Sequence, residues 1–308
     1  MWIGGKCFTD IKDHVYIMGI LNLTPDSFSD GGRFLDYDAA MSHTEEMIRD
    51  GADIIDLGAE STRPGYLPVS AEEEIERLTA VLRAIKKNFD VPVSVDTYKA
   101  KVMDAAFSEG ADLGNDIWGL RYEELHPEDG DVLSNNSSGM LPMAGVAAKY
   151  GKPMVLMHND LLERKKENRT KAQMQRSGIS EAGQMDVVRR VMEGLKRSLE
   201  IAKNAGIEDR QLILDPGVGF AKTLEENLQV LANLQMFRSL GCEWLLGASR
   251  KSVIGDTLGL PPDEREEGTL VTSVLAAQAG YRFVRVHDVR KNRRALDFLQ
   301  HVRCSNGM

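Results

Sequence analysis

Residues 211–220 read Gln211-Leu-Ile-Leu-Asp215-Pro-Gly-Val-Gly-Phe220. An apolar run of strand length brings the carboxylate of Asp215 to its end and then breaks into a loop of proline and glycine, where backbone and ligand can approach closely. Polar groups follow other short apolar runs in the same way, at Asp56, Asp96, Asn115, His158, Ser249 and His287. The sequence therefore places polar side chains at one end of many strands.

Helices and strands alternate along the whole chain. The strands are expected at 15–21, 53–56, 91–95, 111–114, 154–157, 212–214, 244–247 and 283–286. The helices are expected at 38–50, 70–88, 98–109, 141–150, 182–205, 225–239, 267–279 and 288–301. Eight βα units favour an α/β fold, the (β/α)8 TIM barrel, whose sites lie at the carboxyl ends of the strands. A doubly wound open sheet is the alternative, but no Gly-x-Gly-x-x-Gly follows the first strand.

We expect residues 1–308 to form a single domain, with extended loops near 121–139 and 159–183. The first half of the second loop is strongly basic, with Arg164, Lys165, Lys166, Arg169 and Lys171. A solvated loop or helix face explains such a run, and a lid over an anionic substrate is the alternative.

Composition limits the partners. The 308 residues include 47 acidic and 38 basic side chains, for a net charge of −9, which argues against a nucleic-acid-binding surface. Cys7, Cys242 and Cys304 are scattered without metal-ligand spacing and fit a reducing compartment. No signal peptide and no apolar run of about 18 residues is present. We therefore expect a cytoplasmic protein that binds neither membrane nor nucleic acid.

The strand-end residues predict a site for a planar heterocycle. Asp96, Asn115 and Asp215 would converge on one barrel mouth, where they can accept and donate hydrogen bonds to an amide-like or guanidine-like ring. Each acid taken alone, Asp56 included, could instead cap the next helix. His158 reads better as a core histidine than as a catalytic one.

A second group of residues suits an anion. Arg285 and His287 lie two apart on one strand and so face the same way, which suits a phosphate. Thr62 and Arg63 add a hydroxyl and a guanidinium on a loop. Asn22 offers a neutral oxygen ligand for Mg2+, which commonly binds through substrate phosphates.

These residues stand within motifs that identify a family. The motifs are Met18-Gly-Ile-Leu-Asn-Leu-Thr-Pro-Asp-Ser-Phe-Ser-Asp-Gly-Gly32, Glu60-Ser-Thr-Arg-Pro-Gly65, Ser94-Val-Asp-Thr97, Asn115-Asp-Ile117, Leu214-Asp-Pro-Gly-Val-Gly-Phe220, Ser249-Arg-Lys-Ser252 and Arg285-Val-His-Asp-Val289. From about residue 17 to residue 298, the chain resembles the dihydropteroate synthases of the pterin-binding (β/α)8 family. After His158 it departs from the family's short Met-x-Gly-x-Pro segment.

The resemblance implies a transferase of folate biosynthesis that joins 6-hydroxymethyl-7,8-dihydropterin diphosphate to 4-aminobenzoate and releases pyrophosphate. It assigns the pterin to Asp96, Asn115, Asp215 and Lys251. It assigns the diphosphate to Thr62, Arg63, Arg285 and His287, with Mg2+ on Asn22, and the aminobenzoate to Phe28, Pro64, Phe220 and Ser249. The residues expected to act in catalysis are Arg63, Asp96, Lys251, Arg285 and His287. A homodimer is also implied.

Three other functions stay open at this point. A methyltetrahydrofolate-dependent methyltransferase of the same superfamily would share acids like Asp96 and Asp215 but would need no diphosphate site. A Schiff-base aldolase would use Lys251 as its nucleophile. A non-catalytic pterin-binding protein would keep the same polar groups without turnover.

Overall fold

The computed structural model describes residues 1–8, 14–23, 33–60, 68–125, 142–161, 164 and 186–305. The strands are β1 Trp2–Ile3, β2 Lys6–Cys7, β3 Tyr16–Asn22, β4 Ile54–Gly58, β5 Val93–Asp96, β6 Leu113–Asp116, β7 Met154–Met157, β8 Leu212–Asp215, β9 Glu243–Leu246 and β10 Phe283–Val286. The helices are α1 Arg33–Arg49, α2 Ala71–Asn88, α3 Ala100–Ser108, α4 Tyr122–Leu125, α5 Pro142–Tyr150, α6 Val187–Asn204, α7 Leu224–Ala232, α8 Leu234–Phe237, α9 Ser252–Leu258, α10 Glu266–Gln278 and α11 Val289–Ser305.

Strands β3 to β10 form a closed parallel barrel in chain order. The last strand pairs with the first, because Phe283 lies opposite Tyr16 and Val286 lies opposite Gly19. The predicted (β/α)8 barrel is therefore confirmed, and the open sheet is wrong. Closure brings the carboxyl ends of all eight strands to one mouth.

Two apolar layers hold the barrel together. Outward-facing strand residues such as Val93, Val95 and Leu214 pack under the helices. Inward-facing strand residues fill the amino-terminal half of the barrel. Together with Ile3 and Phe8 from outside the barrel strands, they form one buried cluster, whose strand members are Tyr16, Met18, Ile54, Leu113, Val155, Ile213, Leu245 and Phe283. Ile3, in the β1–β2 hairpin, contributes to this cluster, so the hairpin helps to close the amino-terminal end of the barrel.

Local sequence signals explain several helix starts. The Ser70 side chain accepts a hydrogen bond from the backbone N–H of Glu73 at the start of α2. Thr223 and Glu226 form a reciprocal capping box at the start of α7. Such caps satisfy backbone donors that the first turn leaves free, and they fix where each helix begins after its loop.

The structure corrects several predicted boundaries. The single helix expected at 225–239 is two helices, α7 and α8, with a break at Asn233. The hairpin and α9 were not predicted, because two-residue strands and a seven-residue helix containing Gly255 give little periodicity. In the expected loops, residues 122–125 form α4, whereas 126–141 and 165–185 lie outside the described residues.

Two smaller expectations can be compared with the structure. Cys7, Cys242 and Cys304 are all free thiols, as their scattered positions predict. In the part of the chain that the structure describes, no helix combines the length and the apolar character needed to cross a membrane.

Candidate active site

On the inward face of several strands, a polar residue of the mouth lies two positions after an apolar residue of the core. Ile54, Ile213 and Phe283 belong to the buried cluster in the amino-terminal half of the barrel, which we call the apolar plug. The inward residues two positions later are Asp56, Asp215 and Arg285. Because strand side chains alternate with a period of two, each of these strands presents plug and site on the same face. The apolar plug is therefore the floor of the polar site.

Arg285 lies between two carboxylates at this mouth. Its Nε donates to Oδ2 of Asp56 at 2.6 Å, and an Nη donates to Oδ2 of Asp96 at 2.7 Å. Asn115 Nδ2 also donates to Oδ2 of Asp56, at 3.2 Å. The structure thus brings Asp96, Asn115 and Arg285 to one mouth, where each was expected, and adds Asp56; the pairing of Arg285 with Asp96 was not predicted.

Asp56 was missing from the predicted site because capping explains a lone strand-end acid equally well. In the structure it is fully buried and pairs with Arg285. Its other oxygen, Oδ1, has no hydrogen-bond partner among the described residues. Its spacing could have revealed it: Asp56 lies two residues after the inward-facing Ile54, just as Arg285 lies two residues after the inward-facing Phe283.

Burial sets the electrostatics of these groups. It raises the pKa of Asp96 to about 7, against the opposing effect of Arg285, while the nearby Asp56 carboxylate raises it further. Burial also opposes the charge on Arg285, but Asp56 and Asp96 outweigh burial and raise the pKa of Arg285. The mouth therefore holds a permanent cation next to an acid that titrates close to neutral pH.

Asp215 is held by backbone donors on both oxygens. The N–H of Gly217 donates to Oδ1 at 2.7 Å, and the N–H of Gly247 donates to Oδ2 at 3.2 Å. Burial raises the pKa of Asp215, while Lys251 opposes that rise. Since each carboxylate oxygen has two acceptor positions, Asp215 keeps one on each oxygen for a ligand.

Lys251 bridges the loops after β8 and β9. Its Nζ donates to the carbonyl of Val218 at 2.6 Å and lies 4.5 Å from the centre of the Phe220 ring. Burial lowers the pKa of Lys251 to about 8, while Asp215 opposes the shift. The predicted pterin residue Lys251 and the predicted aminobenzoate residue Phe220 are therefore neighbours.

Ser249 and His287 form a second pair at the rim. The backbone N–H of His287 donates to Ser249 Oγ at 3.2 Å, and Oγ lies 2.9 Å from His287 Nδ1. Because Oγ already accepts from the backbone, its hydrogen can donate to Nδ1. In that arrangement, the hydrogen of the neutral imidazole lies on Nε2 of His287.

Asn22 ends β3 beside the glycine that ends β4. A side chain on Gly58 would come within 3.7 Å of Asn22 Oδ1 and 3.6 Å of Asp96 Cβ, so the absence of that side chain leaves a space between them. An amide oxygen next to such a space suits Mg2+, which takes oxygen ligands and keeps several waters. Within the described ranges, no three His, Cys, Asp or Glu side chains converge to hold a metal.

Four predicted site residues, Phe28, Thr62, Arg63 and Pro64, lie outside the described residues. Both ends of the 61–67 segment are described and are tied together. Lys99 Nζ donates to Glu60 Oε2 at 2.6 Å and to the carbonyl of Val69 at 2.5 Å. The N–H of Val69 donates to the same Glu60 oxygen at 2.8 Å. The assignments of Thr62, Arg63, Pro64 and Phe28 stay predictions.

His158 lies behind the mouth rather than in it. It is buried, with Nε2 3.9 Å from Asp160 Oδ1, and a side chain on Gly194 of α6 would come within 2.5 Å of its ring. This packing agrees with the interpretation of His158 as a core histidine.

Comparisons with known proteins agree with this geometry. Residues 18–287 match the family described as pterin binding enzymes. The dihydropteroate synthase of Clostridium beijerinckii is 49% identical over 96% of each chain. That of Bacillus subtilis is 44% identical over 91% of this chain and 86% of its own.

Solved structures extend the likeness to three dimensions. A Clostridium difficile dihydropteroate synthase, solved in the presence of pteroic acid, is 40% identical, with a TM-score of 0.79 over 94% of this chain and 97% of its own. A Xanthomonas albilineans dihydropteroate synthase with 4-aminobenzoic acid is 36% identical, with a TM-score of 0.78 over 94% of each chain. The resemblance seen in the motifs is thereby confirmed: the chain belongs to the pterin-binding enzyme family and, within it, to the dihydropteroate synthases.

Proposed function

We propose that this chain condenses 6-hydroxymethyl-7,8-dihydropterin diphosphate with 4-aminobenzoate to give 7,8-dihydropteroate and pyrophosphate. The observation that carries the proposal is the convergence of Asp96, Asn115, Asp215, Lys251 and Arg285 on one barrel mouth. Similar dihydropteroate synthases have been solved with 4-aminobenzoic acid and with 7,8-dihydropteroate. The relatives give no support to the methyltransferase alternative.

The pterin would bind through Asp215 and Asn115. The two free acceptor positions of the Asp215 carboxylate can take the 2-amino group and a ring N–H of the pterin as a pair of hydrogen bonds. Gly217 and Gly247 hold the carboxylate before the ligand arrives. Such preorganisation lowers the entropy lost on binding.

The diphosphate would bind on the Arg285 side of the mouth. A guanidinium has five N–H donors, and the contacts with Asp56 and Asp96 use two of them. The remaining donors, with Nε2 of His287, can face phosphate oxygens. We place Mg2+ at Asn22, where it would supply charge neutralisation to the diphosphate when bound.

The reaction needs no enzyme nucleophile. The carbon–oxygen bond between the pterin methylene and the diphosphate breaks, and its electron pair leaves with pyrophosphate. Arg285 and His287 stabilise the charge that develops on the departing oxygen. Asp96, when ionised, stabilises the positive character left on the pterin. The neutral amine of 4-aminobenzoate then forms the new carbon–nitrogen bond and releases a proton.

We also propose a homodimer formed through α10 and α11. These neighbouring helices expose Val271, Leu275, Phe298 and Val302, and Phe298 is 73% exposed. The residues are spaced by four within each helix, so they form an apolar stripe of the kind that marks an interface. Sedimentation should give a dimer for the wild type and a monomer for Phe298→Asp. A wild-type monomer would contradict the assignment.

One assay tests the main proposal. Purified protein is incubated with both substrates and Mg2+, and pyrophosphate and dihydropteroate are measured together. Equal amounts of the two products are expected, with loss of turnover when EDTA removes the metal. Tight binding of the pterin diphosphate without either product would indicate a binding protein. A product trapped on Lys251 by borohydride with a carbonyl substrate would indicate an aldolase instead.

A further inference from the structure

Lys222 follows the Asp215–Phe220 loop and turns its amine back into that loop. Its Nζ donates to the carbonyl of Gly217 at 2.8 Å and to those of His158 and Phe220 at 3.4 Å each. His158 follows β7, whereas Gly217 and Phe220 follow β8. One side chain therefore ties the ends of two neighbouring strands together.

The loop that Lys222 holds carries three contacts of the pterin site. Gly217 donates its N–H to Asp215, Val218 gives its carbonyl to Lys251, and Phe220 places its ring beside the Lys251 ammonium. The backbone here is tightly confined, because a side chain on Gly217 would lie 1.8 Å from the carbonyl oxygen of His158. Gly217 also has a φ of 69°, in the left-handed region that favours glycine.

The position is electrostatically unfavourable for a cation. Burial lowers the pKa of Lys222 to about 7, and the charges of Asp160 and Asp215 only partly offset burial. No carboxylate among the described residues forms an ion pair with Lys222. The nearby Asp160 already pairs with Arg190, at 2.9 Å, and with Arg164, at 3.1 Å. Stability alone does not explain an ammonium at this half-buried position, since a charge that is partly removed from water without an ion-pair partner is destabilising.

We propose that Lys222 is a positioning residue of the pterin site, which holds the 216–220 loop so that Asp215 and Lys251 keep their binding geometry. The inference rests on the proposed function, because it concerns how that same site is held. Lys222 contacts neither substrate in this role. It acts through the Gly217 N–H and the Val218 carbonyl, as supporting residues commonly orient binding groups.

The first test compares Lys222→Met with Lys86→Met. Lys86 is also partly buried, but it pairs with Asp112 at the opposite end of the barrel, at 2.6 Å. Calorimetric titration with the pterin diphosphate should show about tenfold weaker binding for Lys222→Met and unchanged binding for Lys86→Met. Equal affinity of Lys222→Met and wild type would overturn the positioning role. Wild-type protein that does not bind the pterin diphosphate would instead overturn the proposed function.

The second test reads the loop directly. In protein labelled with ¹⁵N-glycine, the Gly217 amide should exchange its hydrogen faster in Lys222→Met than in wild type, while Gly247 should exchange at the wild-type rate. Lys222→Gln, which keeps a donor, should fall between them and serves if Lys222→Met does not fold. Unchanged exchange at Gly217 in both variants would contradict the proposal.

A double-mutant cycle gives the third test. If Lys222 acts through the loop that holds Lys251, the effects of Lys222→Met and Lys251→Met on pterin affinity should be less than additive. Lys86→Met combined with Lys251→Met should be additive. Additivity in both cycles would mean that Lys222 and Lys251 act independently, against the proposal.

Discussion

The two ends of this barrel are made from the same strands, but one is closed and apolar whereas the other carries the polar groups of the mouth. At the amino-terminal end, Ile54 and Phe283 pack in a closed apolar plug, and Oδ2 of Asp112 accepts from the N–H of Val93 at 2.9 Å and from Lys86 at 2.6 Å. At the mouth, Asp56 keeps a buried oxygen, Oδ1, that has no hydrogen-bond partner in the part of the chain that the structure describes. One end of the barrel therefore contributes stability, while the other gives up stability to keep polar groups ready for a ligand.

Arg285→Met should have the largest effect on both stability and substrate binding. This change leaves the buried Asp56 and the half-buried Asp96 without their shared cation, which should destabilise the fold by about 3–5 kcal/mol. Affinity for the pterin diphosphate should fall about 100-fold or more, since at least one charge-assisted contact is lost as well. Calorimetry and urea unfolding measure the two effects.

Its matched control lies at the other end. Arg293 donates to Asp297 at 2.8 Å and to the carbonyl of Val15 at 3.1 Å. Arg293→Met should reduce stability while leaving substrate affinity at the wild-type value. Equal losses of affinity in both arginine variants would contradict the division of roles between the two ends.

Phe283→Ala tests the plug. Removing this fully buried ring should lower the free energy of unfolding by about 3–5 kcal/mol, because a cavity remains where the ring was. At a temperature where the variant stays folded, its KM values should match the wild type. A large rise in the KM for the pterin diphosphate would show that plug and site are not separable.

Asp215→Asn tests the contribution of one carboxylate at the mouth to pterin binding. The amide keeps the shape of the side chain but replaces one hydrogen-bond acceptor with a donor. The affinity for the pterin should therefore fall about tenfold or more, because losing a charge-assisted hydrogen bond costs about 1.5–3 kcal/mol. Asp112→Asn makes the same Asp-to-Asn substitution at the amino-terminal end of the barrel. It should lower the free energy of unfolding without changing the affinity for the pterin. Titration of both variants with the pterin diphosphate decides the matter.

Stability should also depend on pH through Lys222. Burial and the charges of Lys251 and Arg190 lower the pKa of Lys222, whereas the charges of Asp160 and Asp215 raise it. Its pKa is about 7 in the folded protein against 10.5 for a free lysine, so between these values the unfolded chain binds one proton more. Stability therefore rises with pH across this window, by at most about 1.4 kcal/mol per pH unit. Urea unfolding at several pH values should show this rise reduced in Lys222→Met and kept in Lys86→Met.

Much of the fold was predictable because local patterns carry it. Each of the eight barrel strands combines a short apolar run with a polar end, and the capping residues Ser70 and Thr223 mark helix starts. The break at Asn233 was not predictable from the apolar pattern, which continues across it. The hairpin strands were too short for their periodicity to be seen.

The site was predictable to the extent that its residues stand at strand ends. Asp96, Asn115 and Arg285 meet at one mouth, where each was expected. Asp56 and Lys222 were missed because their roles depend on partners distant in the chain. Asp56 faces Arg285 only after the barrel closes, and Lys222 reads as a solvated lysine until its amine is seen to meet the carbonyl of His158.

The pairing of the last barrel strand with the first has a consequence for synthesis. The edge of β3 waits for β10 until residue 286 has been made. At roughly 5–20 residues per second, that interval is on the order of 10–60 s on the ribosome. During it, the nascent chain carries an open edge of Tyr16–Asn22, a template for pairing with other chains. The contacts of Arg285 with Asp56 and Asp96 also form only then, so the charges of the mouth are among the last to be neutralised as the chain is made.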